Sequence, residues 1–169
     1  PASTKGTRAT DLTKHVSIPK DSAISSKLTE CVRPYLIKHL GRKFKAHTVA
    51  VRNYHFDSRL ETAEIYSNRW HLDSDYGIRQ IKVFLLISDV GTDDGPLIYL
   101  DREGTKKNWK YLIDRFSFES FRKLQRFENE KHFVGKRGSF LILNTSLCAH
   151  RASIPKHYRD MVICTYTQG

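Results

Sequence analysis

The stretch Ile78-Arg79-Gln80-Ile81-Lys82-Val83-Phe84-Leu85-Leu86-Ile87-Ser88-Asp89-Val90 carries the strongest structural signal in the chain. Ile81, Val83, Leu85 and Ile87 fall on one face of an extended strand, and Lys82, Phe84 and Leu86 on the other. Apolar residues on both faces predict a central strand, covered from both sides. Its apolar run is far too short to span a bilayer, so no membrane role is expected.

The neighbouring sequence repeats the strand signal in weaker form. Gly91 to Gly95 reads as a turn, and Pro96 opens a short strand over 97–100. Upstream, 47–54 and 60–66 alternate around a polar turn at Asp57 and Ser58. Downstream, the Gly135 to Gly138 turn leads into a strand over 139–143, and 159–167 returns as a last alternating strand. Before the strands, Ser22 or Ser25 can cap a helix running to Leu40, with Gly41 as its C-cap. Ile24, Leu28, Cys31, Val32 and Tyr35 form its apolar face, and Pro34 should kink or split it. A second, short amphipathic helix is expected over 118–130 in the long insert, on Phe118, Phe121 and Leu124. Residues 1–20 are polar, basic and aperiodic and read as a flexible tail, leaving 21–169 as one domain. A helical start followed by about seven short strands predicts a mainly β chain, an antiparallel barrel or sandwich.

Composition bounds the function. With 169 residues and 39% apolar content, the chain can build a core without disulfides or a structural metal. Twenty-nine Lys and Arg against eighteen Asp and Glu give a formal net charge of +11, which favours an anionic partner or simply a solvated basic face. Cys31, Cys148 and Cys164 have no paired spacing and read as buried thiols in a reducing, cytoplasmic compartment. No apolar h-region follows the basic start, so a signal peptide is not expected.

Chemistry concentrates at Trp70-His71-Leu72-Asp73. In extended backbone His71 and Asp73 leave from the same face, two adjacent ligands for a divalent first-row metal. A third must come from elsewhere, and His150, delivered to a strand end by the run from Gly138 to Thr145, is the best candidate. Two histidines and one carboxylate form the facial triad of non-haem Fe(II) oxygenases, which keeps open positions on the metal. A lone His-x-Asp is more often a pair of solvated turn residues than a ligand pair, so the flanks must decide.

The flanks carry a resemblance. YSNRWHLDSDYGIRQIKVFLLISDVGTDDGPLIYL (66–100) and GKRGSFLILNTSLCAHRASIPKHYRDMVICTY (135–166) resemble the phytanoyl-CoA hydroxylase-like branch of the Fe(II)/2-oxoglutarate dioxygenases. The shared phrases are Trp-His-x-Asp, the Ile-Ser-Asp-Val and Asp-Gly-Pro-Leu strands, and a distal histidine followed by an arginine opening the last strand. The resemblance implies a double-stranded β-helix, the jelly-roll barrel, with Fe(II) held by His71, Asp73 and His150 and with 2-oxoglutarate and O2 as cosubstrates. It also implies that Arg159 pairs with the distal carboxylate of 2-oxoglutarate, a bidentate task suited to its planar guanidinium. Arg151 is the competitor, but it directly follows His150 and should point away. Where the family continues into Pro-Gly-Ser-His, this chain reads Asp101-Arg102-Glu103-Gly104, and it is short, which argues against an acyl-CoA substrate. Retention of Asp73 argues against a halogenase.

Further candidates are softer. Lys82 and Asn144 could meet the cosubstrate, and Tyr66, Asn68, Gln80 and Tyr99 are generic polar wall residues around a substrate. Trp70 reads as a core or rim aromatic that could border the substrate. Trp109 among Lys106, Lys107 and Lys110 suits a substrate loop or a nucleic-acid surface. The expected function is hydroxylation of an unactivated C–H bond in a small molecule, with the net charge favouring an anionic one. The alternative is a basic jelly-roll module that binds nucleic acid or another polyanion without turnover.

Overall fold

The computed structural model describes residues 12–55, 70–73, 80–109 and 127–169. The expected strand over 60–66, the candidates Tyr66, Asn68 and Lys110, and residues 118–126 of the expected second helix lie outside the described residues. Eight strands and two helices are present among those described: β1 (Thr13–Ile18), α1 (Ala23–Leu40), β2 (Phe44–Tyr54), β3 (Gln80–Leu86), β4 (Leu97–Tyr99), α2 (Arg102–Lys107), β5 (Lys131–Phe133), β6 (Phe140–Leu143), β7 (His150–Ala152) and β8 (Tyr158–Gln168). They build a five-stranded sheet in the order β1-β2-β8-β3-β6 and a three-stranded sheet in the order β5-β4-β7. Every strand pairing is antiparallel. This is a double-stranded β-helix with a helix ahead of it and a short helix inside it.

The strand read as central is central: β3 lies between β8 and β6. Its two faces serve two cores. Ile81 and Val83 pack outward with Val162, Cys164 and Tyr166 of β8 against Leu28, Val32, Leu36 and Leu40 of α1. Phe84 and Leu86 face inward with Met161, Leu97, Leu143 and Cys148, between the sheets. Each of those buried aliphatic side chains contributes about 1.5–3 kcal/mol of burial.

Helix α1 departs from expectation in one respect. It runs unbroken through Pro34, which removes one backbone hydrogen bond but sits between the buried Val32 and Leu36. The buried residues recur every fourth position from Leu28 to Leu40, so packing onto the sheet holds the helix on both sides of the proline. That stripe leaves Cys31 and Tyr35 on its exposed flank, so Cys31 is not the buried thiol expected; Cys148 and Cys164 are buried. The caps follow the sequence. Ser22 accepts from the Ser25 amide, and Gly41, at φ 88°, donates its amide to the Ile37 carbonyl.

Three other elements differ. Residues 13–18 are not tail but edge strand β1, paired with β2 from Thr13↔Asn53 to Ile18↔Thr48. Its exposed edge position demands no alternation, which is why the segment looks aperiodic. The short internal helix among the described residues is α2, capped by the Asp101 carboxylate on the Gly104 amide, whereas Phe127 to Glu130 form a turn. His150 does not end the strand over 139–143. It opens β7, in the other sheet, after the turn that follows β6.

Candidate metal centre

His71, Asp73 and His150 come together between the sheets, with one ligand atom from each lying within 4.8 Å of the others. Main-chain pairing fixes them. His71 and His150 form an antiparallel bridge with both amide-to-carbonyl bonds at 3.0 Å, and the Asp73 amide donates to the Thr145 carbonyl at 3.0 Å. Ala149 is held from two sides, its carbonyl by the Leu100 amide and its amide by the buried Thr105 hydroxyl of α2. The turn that aims His150 is thus anchored to the small helix.

The side chains are equally constrained. His150 Nδ1 lies 3.2 Å from the Cys148 carbonyl, a contact that selects the Nδ1–H tautomer and leaves Nε2 as a ligand. Burial, reinforced by the neighbouring His71, pushes the His150 imidazole down to about 3, so it is neutral at ordinary pH. Burial alone would raise the Asp73 carboxyl. The Lys82 ammonium, with hydrogen bonds from Lys82 and Thr145, outweighs it and holds Asp73 below the usual carboxylate range. Asp73 Oδ1 is 3.9 Å from His71 Nε2, and Oδ2 is 3.7 Å from His150 Nε2. Adjacent ligands on a six-coordinate first-row ion lie roughly 3 Å apart, so the cluster needs to close only slightly. The donors, two imidazoles and one carboxylate, suit Fe(II). Beside them the buried Oε1 of Gln80 has no hydrogen-bond partner among the described residues, an acceptor open to a water or hydroxyl at the site.

The other candidates are placed as follows. Gln80 points at the cluster, donating to Asp73 Oδ2 at 3.1 Å and to Thr145 Oγ1 at 3.0 Å. Lys82 places Nζ 2.8 Å from Asp73 Oδ2. Tyr99 is the register partner of His150 and packs toward the inner core. Trp70 packs on the far side with Ile98, Leu100 and Phe127, under the Arg151 guanidinium at 5.5 Å from its ring centre. It is therefore a core aromatic behind the small sheet and does not border the cluster. Asn144 shapes the turn, its side-chain oxygen accepting from the Ser146 amide. Trp109 follows α2 with 47% of its surface exposed. Thr145, fully buried and bonded to Gln80, was not singled out by the sequence; the Asn-Thr-Ser turn after a strong strand was the available signal.

Arg159 is buried on the inner face of β8, opposite Asn53, and its guanidinium donates to the Gly95 carbonyl. Phe84, whose ring centre is 6.4 Å from that of His150, pairs with Ile163. Arg159 lies four positions further along β8, about 13 Å of strand.

Gly95 is what lets this corner close. Its φ is 69°, and a Cβ there would come 2.5 Å from Pro155 N and 2.8 Å from the Ser153 carbonyl. Gly95→Ala is expected to cost about 3 kcal/mol, from left-handed backbone and overpacking. That lowers Tm by about 6–12 °C. A calorimetric melt checks it; an unchanged Tm would contradict the packing described.

No protein-family model matches the chain, nor does any curated protein sequence. Solved structures do match. HygX from Streptomyces hygroscopicus, with nickel and 2-oxoglutarate bound, superposes with TM-score 0.54 at 14% identity over 92% of this chain and 70% of its own. EvdO2 from Micromonospora carbonacea var. aurantiaca, complexed with 2-oxoglutarate, gives TM-score 0.59 at 12% identity over 94% and 68%. EctD from S. alaskensis gives TM-score 0.55 at 15% identity over 93% of this chain and 57% of its own. The chain therefore shares the double-stranded β-helix fold of these proteins, with a two-histidine, one-aspartate cluster between its sheets.

Proposed function

We propose that the protein is an Fe(II)- and 2-oxoglutarate-dependent oxygenase that hydroxylates an unactivated C–H bond of a small, anionic molecule. The observation that carries this is the His71, Asp73 and His150 cluster lying between the sheets of this fold. When bound, iron with 2-oxoglutarate and O2 supplies the oxidising power: 2-oxoglutarate loses CO2 to become succinate, which takes one oxygen atom, and the other enters the substrate C–H bond. The chain's part is binding and orientation. His71 and His150 offer imidazole nitrogens and Asp73 a carboxylate kept ionised by its neighbours. Gln80 and Thr145 fix the carboxylate's orientation. Arg159 pairs with the distal carboxylate of 2-oxoglutarate, exchanging its Gly95 contact for a charge-assisted one. Tyr99, beside His150 on the inner face, borders the substrate space. Lys106 and Lys107, in the last turn of α2, and the exposed Trp109 just after it are candidates for contacting an anionic substrate.

HygX, which shares the fold, is also known with nickel, 2-oxoglutarate and hygromycin B bound, which supports a small-molecule substrate. No helix among the described residues is long and apolar enough to cross a membrane. The free thiols of Cys31, Cys148 and Cys164 support a reducing, cytoplasmic setting.

One experiment separates this reading from a polyanion-binding module. Iron-loaded protein is incubated with 2-oxoglutarate and a panel of small acids, phosphorylated metabolites and oligonucleotides, and succinate is followed at two salt concentrations. Succinate formed in step with a hydroxylated small molecule is expected. Absence of succinate with every compound, together with oligonucleotide binding that falls steeply with salt and survives loss of His71, would contradict it.

A further inference from the structure

The same carboxylate oxygen that faces His150 is already engaged by a cation. Lys82 Nζ lies 2.8 Å from Asp73 Oδ2, and His150 Nε2 lies 3.7 Å from that atom. Lys82 rises from the inner face of β3, opposite Thr165 and Leu143, and is partly open to solvent. Its four-carbon stem gives the ammonium room to withdraw. Holding Asp73 in place does not require it, because the buried Gln80 amide binds the same oxygen at 3.1 Å and is itself tied to Thr145.

We propose that Lys82 is a resident competitor for the metal: its ammonium shares Asp73 Oδ2 and lowers the site's affinity for a divalent cation until an anion enters. The inference rests on the metal-site reading above and adds a regulation to it. A divalent ion on Asp73 and His150 sits within a few ångströms of the ammonium, and repulsion between a double and a single positive charge in a partly buried site is strong. An incoming dicarboxylate offsets that repulsion. Metal and anion then bind with positive coupling, and the coupling is reciprocal. Loss of the lysine charge removes both the repulsion and most of the coupling. The sign of the effect is diagnostic, since a purely structural lysine would weaken metal binding when lost.

The test titrates Mn(II), which is stable in air, into the metal-free protein with and without 2-oxoglutarate. The proteins are wild type, Lys82→Met, Lys82→Gln, Lys82→Arg and His71→Ala, each first melted to verify cooperative unfolding. Without 2-oxoglutarate the two neutral variants are expected to bind Mn(II) about 10- to 100-fold more tightly than wild type, with Lys82→Arg staying near wild type. Adding 2-oxoglutarate should tighten Mn(II) binding severalfold more in wild type than in Lys82→Met. Binding by the folded neutral variants that is equal to or weaker than wild type would overturn the proposal while leaving the metal site standing. Equal binding by wild type and His71→Ala would instead overturn the metal-site reading, and absence of binding by all of them would overturn both.

Discussion

Fe(II) titrated into anaerobic metal-free protein is expected to bind wild type at one site and the His71→Ala/Asp73→Ala variant at least about 1000-fold more weakly. Loss of a group that only orients a ligand typically costs 10- to 100-fold in metal affinity, and this variant loses two of the three ligands themselves. The remaining His150 is a neutral imidazole fixed by the Cys148 carbonyl, and alone it cannot hold a labile first-row ion. The variant should keep its fold, because the His71 to His150 bridge is made by main-chain groups and the inner core lies elsewhere. Isothermal calorimetry, with a thermal melt as control, reads both. Equal Fe(II) binding by the two proteins would contradict the assignment of the ligands.

The second large effect belongs to Arg159. Its guanidinium is buried and faces the inner side of β8. If it receives the distal carboxylate of 2-oxoglutarate, Arg159→Ala leaves that carboxylate without its charge-assisted bonds, a loss of about 2–4 kcal/mol or some 30- to 1000-fold in affinity. Arg151→Ala is the control. That guanidinium lies over Trp70, on the face turned away from the cluster, and its loss should change 2-oxoglutarate binding by less than about threefold. Calorimetry of 2-oxoglutarate into Mn(II)-loaded protein measures both. A large effect from Arg151→Ala and a small one from Arg159→Ala would reverse the choice of arginine.

The contrast between these two arginines shows what a single sequence can carry. Strand alternation alone turns Arg151 away from the face that His150 uses, and the register of β7 agrees. The same rule was available for Trp70, one position before His71, and it packs accordingly behind the small sheet. The central strand was legible because both of its faces are buried, so its apolar run is continuous. The Asp-Gly-Pro-Leu phrase has a plain physical basis in the crowding of Gly95 against Pro155.

What stayed hidden depends on groups brought together from distant parts of the chain. The three-residue strands β5 and β7 are too short to show a period. Edge strand β1 is exposed along most of its length, so no hydrophobic pattern marks it. The continuity of α1 through Pro34 follows from a four-residue packing stripe that only the sheet opposite makes decisive. At the metal centre, Asp73, Gln80, Lys82 and Thr145 come from three separate segments. Neither the hydrogen bonds of Gln80 nor the ion pair of Lys82 has a signature in local spacing.

The proposed oxidative decarboxylation of 2-oxoglutarate at the cluster between the sheets can be measured without knowledge of the substrate. Iron-loaded protein is given 2-oxoglutarate labelled at its C1 carboxylate in air; the labelled CO2 is counted and the unlabelled succinate is measured by mass spectrometry, beside the His71→Ala/Asp73→Ala variant. CO2 and succinate are expected in equal amounts from wild type, dependent on both iron and O2, with only background from the variant. Labelled CO2 at the same rate from both proteins, or none from iron-loaded wild type under conditions where it binds both Fe(II) and 2-oxoglutarate, would contradict it.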